Sequence, residues 1–319
     1  MRQFQSFLFF CLFVLLCGTT LGQAYPTRPI KLVYPFPPGT NTEVLLRTLA
    51  QRLSDSLKQP VVIENRPGAG SMLGTDAVAK AAPDGYTLLT SFNSAIAPGP
   101  LLYKSVPYDP LKDFAHIALI GVFPQFFAVR TDSPIETVDQ LLSIARAKPG
   151  AINFASSGVG TAGFLSAAML QQAAGINMVH VPYKGSTAAL SDLLGGRLDI
   201  VVTGNVAELV RAGKVRIVAV TSEKRMNTYP DVPTLNESVP GVIAVPWMGI
   251  SAPEKTPQAV VGRLESEIMA IATSHDMQTI STNAGMTPKP LNSVNFVAFI
   301  QNEMRTWAPI IKAGKISVD

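Results

Sequence analysis

Short runs rich in Ile, Leu and Val alternate along this chain with longer stretches whose apolar residues recur every three or four positions, the pattern of strands alternating with helices. The first run is IKLVYPF, Ile30 to Phe36, after which Val44, Leu45, Leu49, Leu53 and Leu57 share one face of a predicted helix. PVVIENRPGAG reads as a strand entering a glycine turn, SMLGTDAVAKAA as a helix, and YTLLTSF as a strand behind the turn Pro83-Asp84-Gly85. This βαβαβ order predicts a parallel sheet with helices on its faces. From Phe114 to Val129 the chain is apolar and strand-like, broken by Pro124, which reads as a crossing into a second lobe. There the alternation resumes: helix SPIETVDQLLSIARAK, strand INFASS, helix FLSAAMLQQAA, strand NMVHVPY, helix TAALSDLLGG with Gly195-Gly196 as its stop, then strands LDIVVTG and VRIVAVTS.

After Arg225 the segment TYPDVPTLNESVPG is rich in turn residues, with Thr234 and Glu237 spaced as a capping box. VPWMGISAP then reads as a strand returning to the first lobe. Thr256-Pro257 opens a helix with Val260, Leu264, Ile268 and Ile271 on one face, and a last helix carries Phe296, Ile300, Met304 and Trp307. The expected organisation is α/β and two-lobed. Residues 25–124 and 226–319 form a discontinuous lobe 1, residues 125–225 form lobe 2, and two crossings act as a hinge.

The N-terminus changes the compartment. Arg2, the apolar run Phe7 to Cys17, and the small residues ending in Gly22-Gln23-Ala24 have the form of a secretory signal over residues 1–24, cleaved after Ala24. The run is shorter than the roughly 20 residues a membrane span needs. Lipidation at Cys17 is the rival reading, against which stands the bulky Leu16 before it. Both cysteines of the chain, Cys11 and Cys17, lie in this segment, so the mature protein is expected to have neither disulfide nor thiolate chemistry. The full sequence of 319 residues holds 26 Lys and Arg against 22 Asp and Glu, a net charge of +4. These charges are scattered, which argues against nucleic acid.

Two strand-turn-helix units carry the chemistry. In one the turn is Pro37-Pro38-Gly39-Thr40-Asn41; in the other it is Ser156-Ser157-Gly158-Val159-Gly160-Thr161. Unpaired N–H groups at a helix start form an anion site. Ligands of open α/β sheets bind beyond the carboxyl ends of strands. That rule selects Phe36 to Asn41, Asn65 to Ser71, Ser91 to Ser94, Ser156 to Thr161, Tyr183 to Ser186, and Thr203 to Asn205. The candidate ligand-binding residues are Phe36, Pro38, Gly39, Thr40, Asn41, Ser94, Ser157, Gly158, Gly160, Thr161, Phe164, Tyr183, Lys184 and Thr203. Hydroxyls and N–H groups dominate this set, which suits a carboxylate. The bland alternative is that glycine-rich turns are only turns. Gly158-x-Gly160 lacks the third glycine of a dinucleotide fingerprint. The three histidines, His116, His180 and His275, have no metal-ligand spacing, and no G-x-S-x-G elbow is present. A Ser157–His180 hydrolase is the weak catalytic alternative. No cofactor and no metal are expected.

The motifs YPTRPIKLVYPFPPG, VVIENRPGAGSMLGTDAVAKAAPDGYTLL, INFASSGVGT, VPYKGSTAALSDLLGGRLDI, AGKVRIVAVTSEKR and YPDVPTLNES run in order through nearly the whole mature chain. In them the chain resembles the Bug (TctC-type) solute-binding proteins of tripartite tricarboxylate transporters. The resemblance implies a type II periplasmic-binding-protein fold with an interdomain ligand cleft. It also implies a periplasmic monomer that captures a small carboxylate and delivers it to a membrane permease; a receptor reporting to a sensor kinase is the alternative. It places one carboxylate on Gly39 and Thr40 and the other end of the ligand at Ser157, Gly158, Gly160 and Thr161. Three positions depart from the family pattern. The first turn reads Gly39-Thr40-Asn41-Thr42-Glu43 where Gly-Gly-x-x-Asp is usual. Phe164 replaces a frequent histidine, and Thr203 an acid. Thr40 to Glu43 has capping-box form, which makes Glu43 a helix cap and favours carboxylates with an apolar body over amino acids.

Overall fold

The computed structural model describes residues 25–39 and 41–318; the signal segment and Thr40 lie outside the described residues. The chain starts with β1 (Ile30–Tyr34), α1 (Asn41–Leu57), β2 (Val61–Asn65), α2 (Met72–Ala79) and β3 (Thr87–Phe92). Two short helices, α3 (Asn93–Ile96) and α4 (Pro98–Leu102), precede β4 (Phe114–Val122). Alternate residues of β1 feed opposite faces of the sheet, as strand geometry requires. Leu32 and Tyr34 pack with Leu45, Leu46, Leu49 and Leu53 of α1, and Val33 packs with Leu89, Leu119, Trp247 and Phe296. Each fully buried aliphatic side chain here contributes about 1.5–3 kcal/mol.

The chain then enters a second sheet through β5 (Phe126–Arg130), followed by α5 (Val138–Ala147), β6 (Asn153–Ser156), α6 (Ala162–Ala174), β7 (Val179–Pro182), α7 (Ser186–Leu194), β8 (Ile200–Thr203), α8 (Ala207–Arg211) and β9 (Val215–Val220). After α9 (Leu235–Ser238) it returns as β10 (Trp247–Pro253), then α10 (Gln258–Ala272), α11 (His275–Asn283), β11 (Thr287–Asn292) and α12 (Ser293–Ala313). Thr234 and Glu237 make the reciprocal capping box that starts α9.

Both sheets are mixed, which corrects the expectation of parallel sheets. The first has the order β11-β4-β10-β3-β1-β2 and the second β7-β6-β8-β5-β9. The βαβ strands β1, β2 and β3 are parallel, as are β6, β7 and β8. β10 runs antiparallel between β3 and β4, and β5 antiparallel between β8 and β9. The reason is how these strands arrive. β5 and β10 come across from the other sheet rather than through a helical crossover, so the constraint that makes crossover strands parallel does not act on them.

The two crossings lie side by side. Phe123 N–H donates to Pro246 O at 2.7 Å, and Thr221 N–H donates to Gln125 O at 3.0 Å. Gln125 N–H donates in turn to Thr221 Oγ1 at 2.9 Å. Leu235, Val239, Val242 and Ala244 share the core of the second sheet, as do Trp307, Ile310 and Ile311 of α12. Their apolar side chains complete the face of the second sheet that α5 and α6 cover.

Candidate functional site

Between the sheets lies a cleft of about 1250 Å³. Its first-lobe wall is built on the ends of β1 and β3. Tyr34, Phe36 and Phe92 form an aromatic cluster there, with ring centroids 5.4 Å apart for Tyr34–Phe36 and 4.8 Å for Phe36–Phe92, the latter edge-on. Phe123, Pro124 and Gln125 of the hinge close the back. Beside the aromatic rings stand Gly70, Ser71, Asn93 and Ser94. Ser71 Oγ and Ser94 Oγ share a hydrogen bond of 2.6 Å, linking the start of α2 to α3. Gly68, Ala69, Gly70 and Ser71 all have positive φ, from 46° to 133°, a tight reversal that aims the start of α2 at the cleft.

The second-lobe wall is the turn Ser157 to Thr161 with the starts of α6, α7 and α8. Thr161 is the N-cap residue of α6, but its hydroxyl donates back to Gly158 O at 2.7 Å and does not cap the helix. No side chain caps the first turns of α2, α6 or α7. In α2 the first two N–H groups are already taken, Met72 by Ala69 O and Leu73 by Gly68 O at 3.4 Å; the first N–H groups of α6 and α7 have no partner inside the helix, and the helix dipole adds positive potential at the same place. Among the described lining residues only Glu208 and Arg211 are charged. The cleft therefore offers backbone N–H groups, hydroxyls and amides on one side and aromatic rings on the other.

Of the residues selected from sequence, Phe36, Ser94, Ser157, Gly160, Thr161 and Thr203 line this cleft. Thr40 lies outside the described residues. Pro38 and Gly39 are exposed at the turn, and the Gly39 N–H donates to Glu43 Oε2 at 2.6 Å. That donor faces the chain's own carboxylate. Asn41 begins α1, and Gly158 adopts φ 124° without lining the cleft. Phe164 packs against the second-lobe core, its ring 4.7 Å from that of His180. Tyr183 donates its hydroxyl to Asp192 Oδ2 at 2.6 Å, and Lys184 is exposed outside the cleft. An acid on α7 captures Tyr183 and turns it from the cleft.

The serine beside a histidine is Ser156, not Ser157. Ser156 Oγ lies 2.8 Å from His180 Nε2. Ser156 is 1% exposed, under the turn rather than facing the cleft. Burial lowers the pKa of His180, with no charged neighbour contributing. A nucleophile sealed beneath a turn has no access to a substrate. Residues missed from sequence are Tyr103, Leu165, Leu190 and Val318, along with Asn283 to Gly285. They reach the cleft from helix sides, a helix end and the C-terminal segment, where no strand-end rule points.

Fold and cleft together define a two-lobed solute-binding protein. The family described as "Tripartite tricarboxylate transporter family receptor" (TctC) matches residues 45–316, and the chain belongs to it. It is 37% identical to Protein BugT of Bordetella pertussis over 91% of this chain and 90% of that one. The fold is similar to that of R. palustris Rpa4515 with adipate, at TM-score 0.78 and 31% identity, covering 92% of this chain and 99% of the other. It is also similar to MatC from Rhodopseudomonas palustris with bound malate, at TM-score 0.72 and 28% identity over 90% of this chain and 100% of that one.

Proposed function

We propose that this protein is a periplasmic receptor that captures a small carboxylate with an apolar body between its lobes and delivers it, as a monomer, to a tripartite tricarboxylate-type permease. The observation that carries this reading is the convergence of two uncapped helix starts, those of α6 and α7, on a cleft floored by Tyr34, Phe36 and Phe92. N–H groups take the carboxylate, and the rings take the hydrocarbon. Capture without turnover fits the sealed Ser156 and a cleft whose charged lining residues, among those described, are Glu208 and Arg211. Adipate and malate, bound by the related proteins, are the first compounds to try.

The test is thermal unfolding of the mature protein against a panel of aliphatic and aromatic mono- and dicarboxylates, with calorimetry on those that act. A ligand at 100 times its Kd stabilises the folded state by about 2.7 kcal/mol. A panel without any shift overturns the reading, as does chemical conversion of a compound that binds.

A further inference from the structure

Beneath the second-lobe turn lies a hydrogen-bond relay that the binding surface itself does not require. Ser156 Oγ is 2.8 Å from His180 Nε2 and 3.1 Å from Gly158 O, and it accepts the Gly158 N–H at 3.3 Å. The serine has one proton and two acceptors within reach. Gly158 O already receives the Thr161 hydroxyl at 2.7 Å. Gly158 O can take both hydroxyls, but Nε2 is the nearer acceptor, and with the serine proton donated there neutral His180 is the Nδ1–H tautomer. Ser156 Oγ is then free to accept the Gly158 N–H, so the histidine holds the turn through the serine.

A proton from solvent on Nε2 reverses this relay. Nε2–H becomes the donor to Ser156 Oγ, and the serine hydroxyl swings to Gly158 O. The hydroxyl oxygen keeps a second lone pair for the Gly158 N–H, so the turn holds its shape and what changes beneath it is charge. A full positive charge appears under a turn whose helix start already attracts anions. The ring is half-buried, so protons reach it. β6 presents Phe154 and Ser156 to it and α6 presents Phe164, with ring centroids 4.9 Å and 4.7 Å away for the two phenylalanines, and none of these is charged. Beyond the end of β7, Tyr183 and Arg197 engage Asp192 of α7, and Lys184 is exposed.

Resting on the carboxylate reading above, we infer that His180 is a positioning residue that couples anion capture by the Ser157–Thr161 turn to uptake of one proton. Binding tightens as pH falls, and the bound anion draws a proton onto the ring. By linkage the two effects are equal. The device makes the receptor a better trap in an acidic surrounding and a readier donor in a neutral one.

The experiment titrates adipate and malate by calorimetry at pH 5.5 and 7.5, each in two buffers of different ionisation enthalpy, with wild type and His180→Gln. For an acid that binds, the expected wild-type affinity is about three- to tenfold higher at pH 5.5, the size of a screened charge–charge coupling. Buffer-dependent heat should report proton uptake. His180→Gln should lose both the uptake and the rise. The wild-type uptake measurement stands even if the variant folds poorly. In the ligand-free protein, nitrogen-15 spectra of the three histidines should show His180 as the Nδ1–H tautomer at pH 8. Binding with equal pH dependence in both proteins, or an Nε2–H tautomer, overturns the coupling and leaves the carboxylate reading standing. No binding of either acid at either pH, with the Nδ1–H tautomer present, overturns the coupling along with its use of these carboxylates.

Discussion

Glu43 folds back on the turn that precedes its own helix, its Oε2 accepting the Gly39 N–H at 2.6 Å. Its other oxygen pairs with Arg47 one turn on, and the side chain is 3% exposed. The Gly39 N–H, and then Arg47, hold its carboxyl below the usual carboxylate range. Both oxygens are thus engaged within the chain. Glu43 is therefore closed to a ligand ammonium group, which is left, among the described residues, with Glu208 on α8 as the carboxylate lining the cleft; held away from that residue, a buried ammonium is unpaired at a cost of several kcal/mol. Succinate should bind at least about tenfold more tightly than aspartate, a difference of about 1.4 kcal/mol. Paired calorimetric titrations decide this, and tighter binding of aspartate would sink it.

Glu303 on α12 carries the clearest pH dependence. It is 8% exposed, and its Oε2 accepts the Trp307 indole N–H at 3.2 Å. Burial pushes its carboxyl up from 4.5 to about 7. Between those values the native state holds a proton that the unfolded chain has released, so this contribution to stability is complete below about pH 4.5 and is lost as pH rises through about 7. Glu303→Gln keeps the hydrogen-bond acceptor without the charge. It should flatten the slope and raise stability at pH 8 by roughly 3 kcal/mol at most. Urea unfolding across pH 5 to 8 measures it, and an unchanged slope in the variant contradicts the assignment.

The hinge depends on a buried hydroxyl. Thr221 is fully buried and its Oγ1 accepts the Gln125 N–H at 2.9 Å. Thr221→Val keeps the shape and strands that donor, at a cost of about 1–3 kcal/mol. The variant should also alter closure. Small-angle scattering of wild type should show a smaller radius of gyration with saturating carboxylate, and the variant a smaller change. Equal compaction in both would rule out a hinge role for this bond.

Gly163 sits where α6 meets β8. A Cβ placed there comes 2.2 Å from Val202 O, a backbone atom that cannot swing aside. Gly163→Ala should therefore push the helix off the sheet, destabilising by about 1–3 kcal/mol. Calorimetric melting with an unchanged far-ultraviolet spectrum is the expected result; a melting point at or above wild type would contradict it.

Helix positions were legible because a stripe of Leu at helical spacing has only one way to be buried. Leu45, Leu49 and Leu53 of α1 are each at most 1% exposed. Val44, read into the same stripe, is 65% exposed, since a stripe's edge cannot be told from its centre by spacing alone. Strand direction was not legible, because the apolar run of β10 reads the same whichever way it enters the sheet. At the cleft, the strand-end rule led to Ser94, Ser157, Gly160, Thr161 and Thr203, which the fold brings together. It also led to Tyr183, which a pairing with Asp192 nine positions on diverts. That partnership depends on how α7 seats on its sheet, and so on packing that no local pattern encodes.

α12 passes through both hydrophobic cores. Phe296 and Ile300 are buried with the first lobe, and Trp307, Ile310 and Ile311 with the second, where Pro309 stands inside the helix between Trp307 and Ile310. The two halves of the clamp are therefore tied by a stiff strap as well as by the paired crossings at Phe123 and Gln125. A proline removes one rung of the helical ladder, and this one falls in the second-lobe half, so the stretch from Phe296 to Trp307 that spans the lobes keeps its ladder whole. Any opening of the cleft has to be accommodated by this helix as well as by the two crossings, so the tail of the chain takes part in setting how far the jaws part.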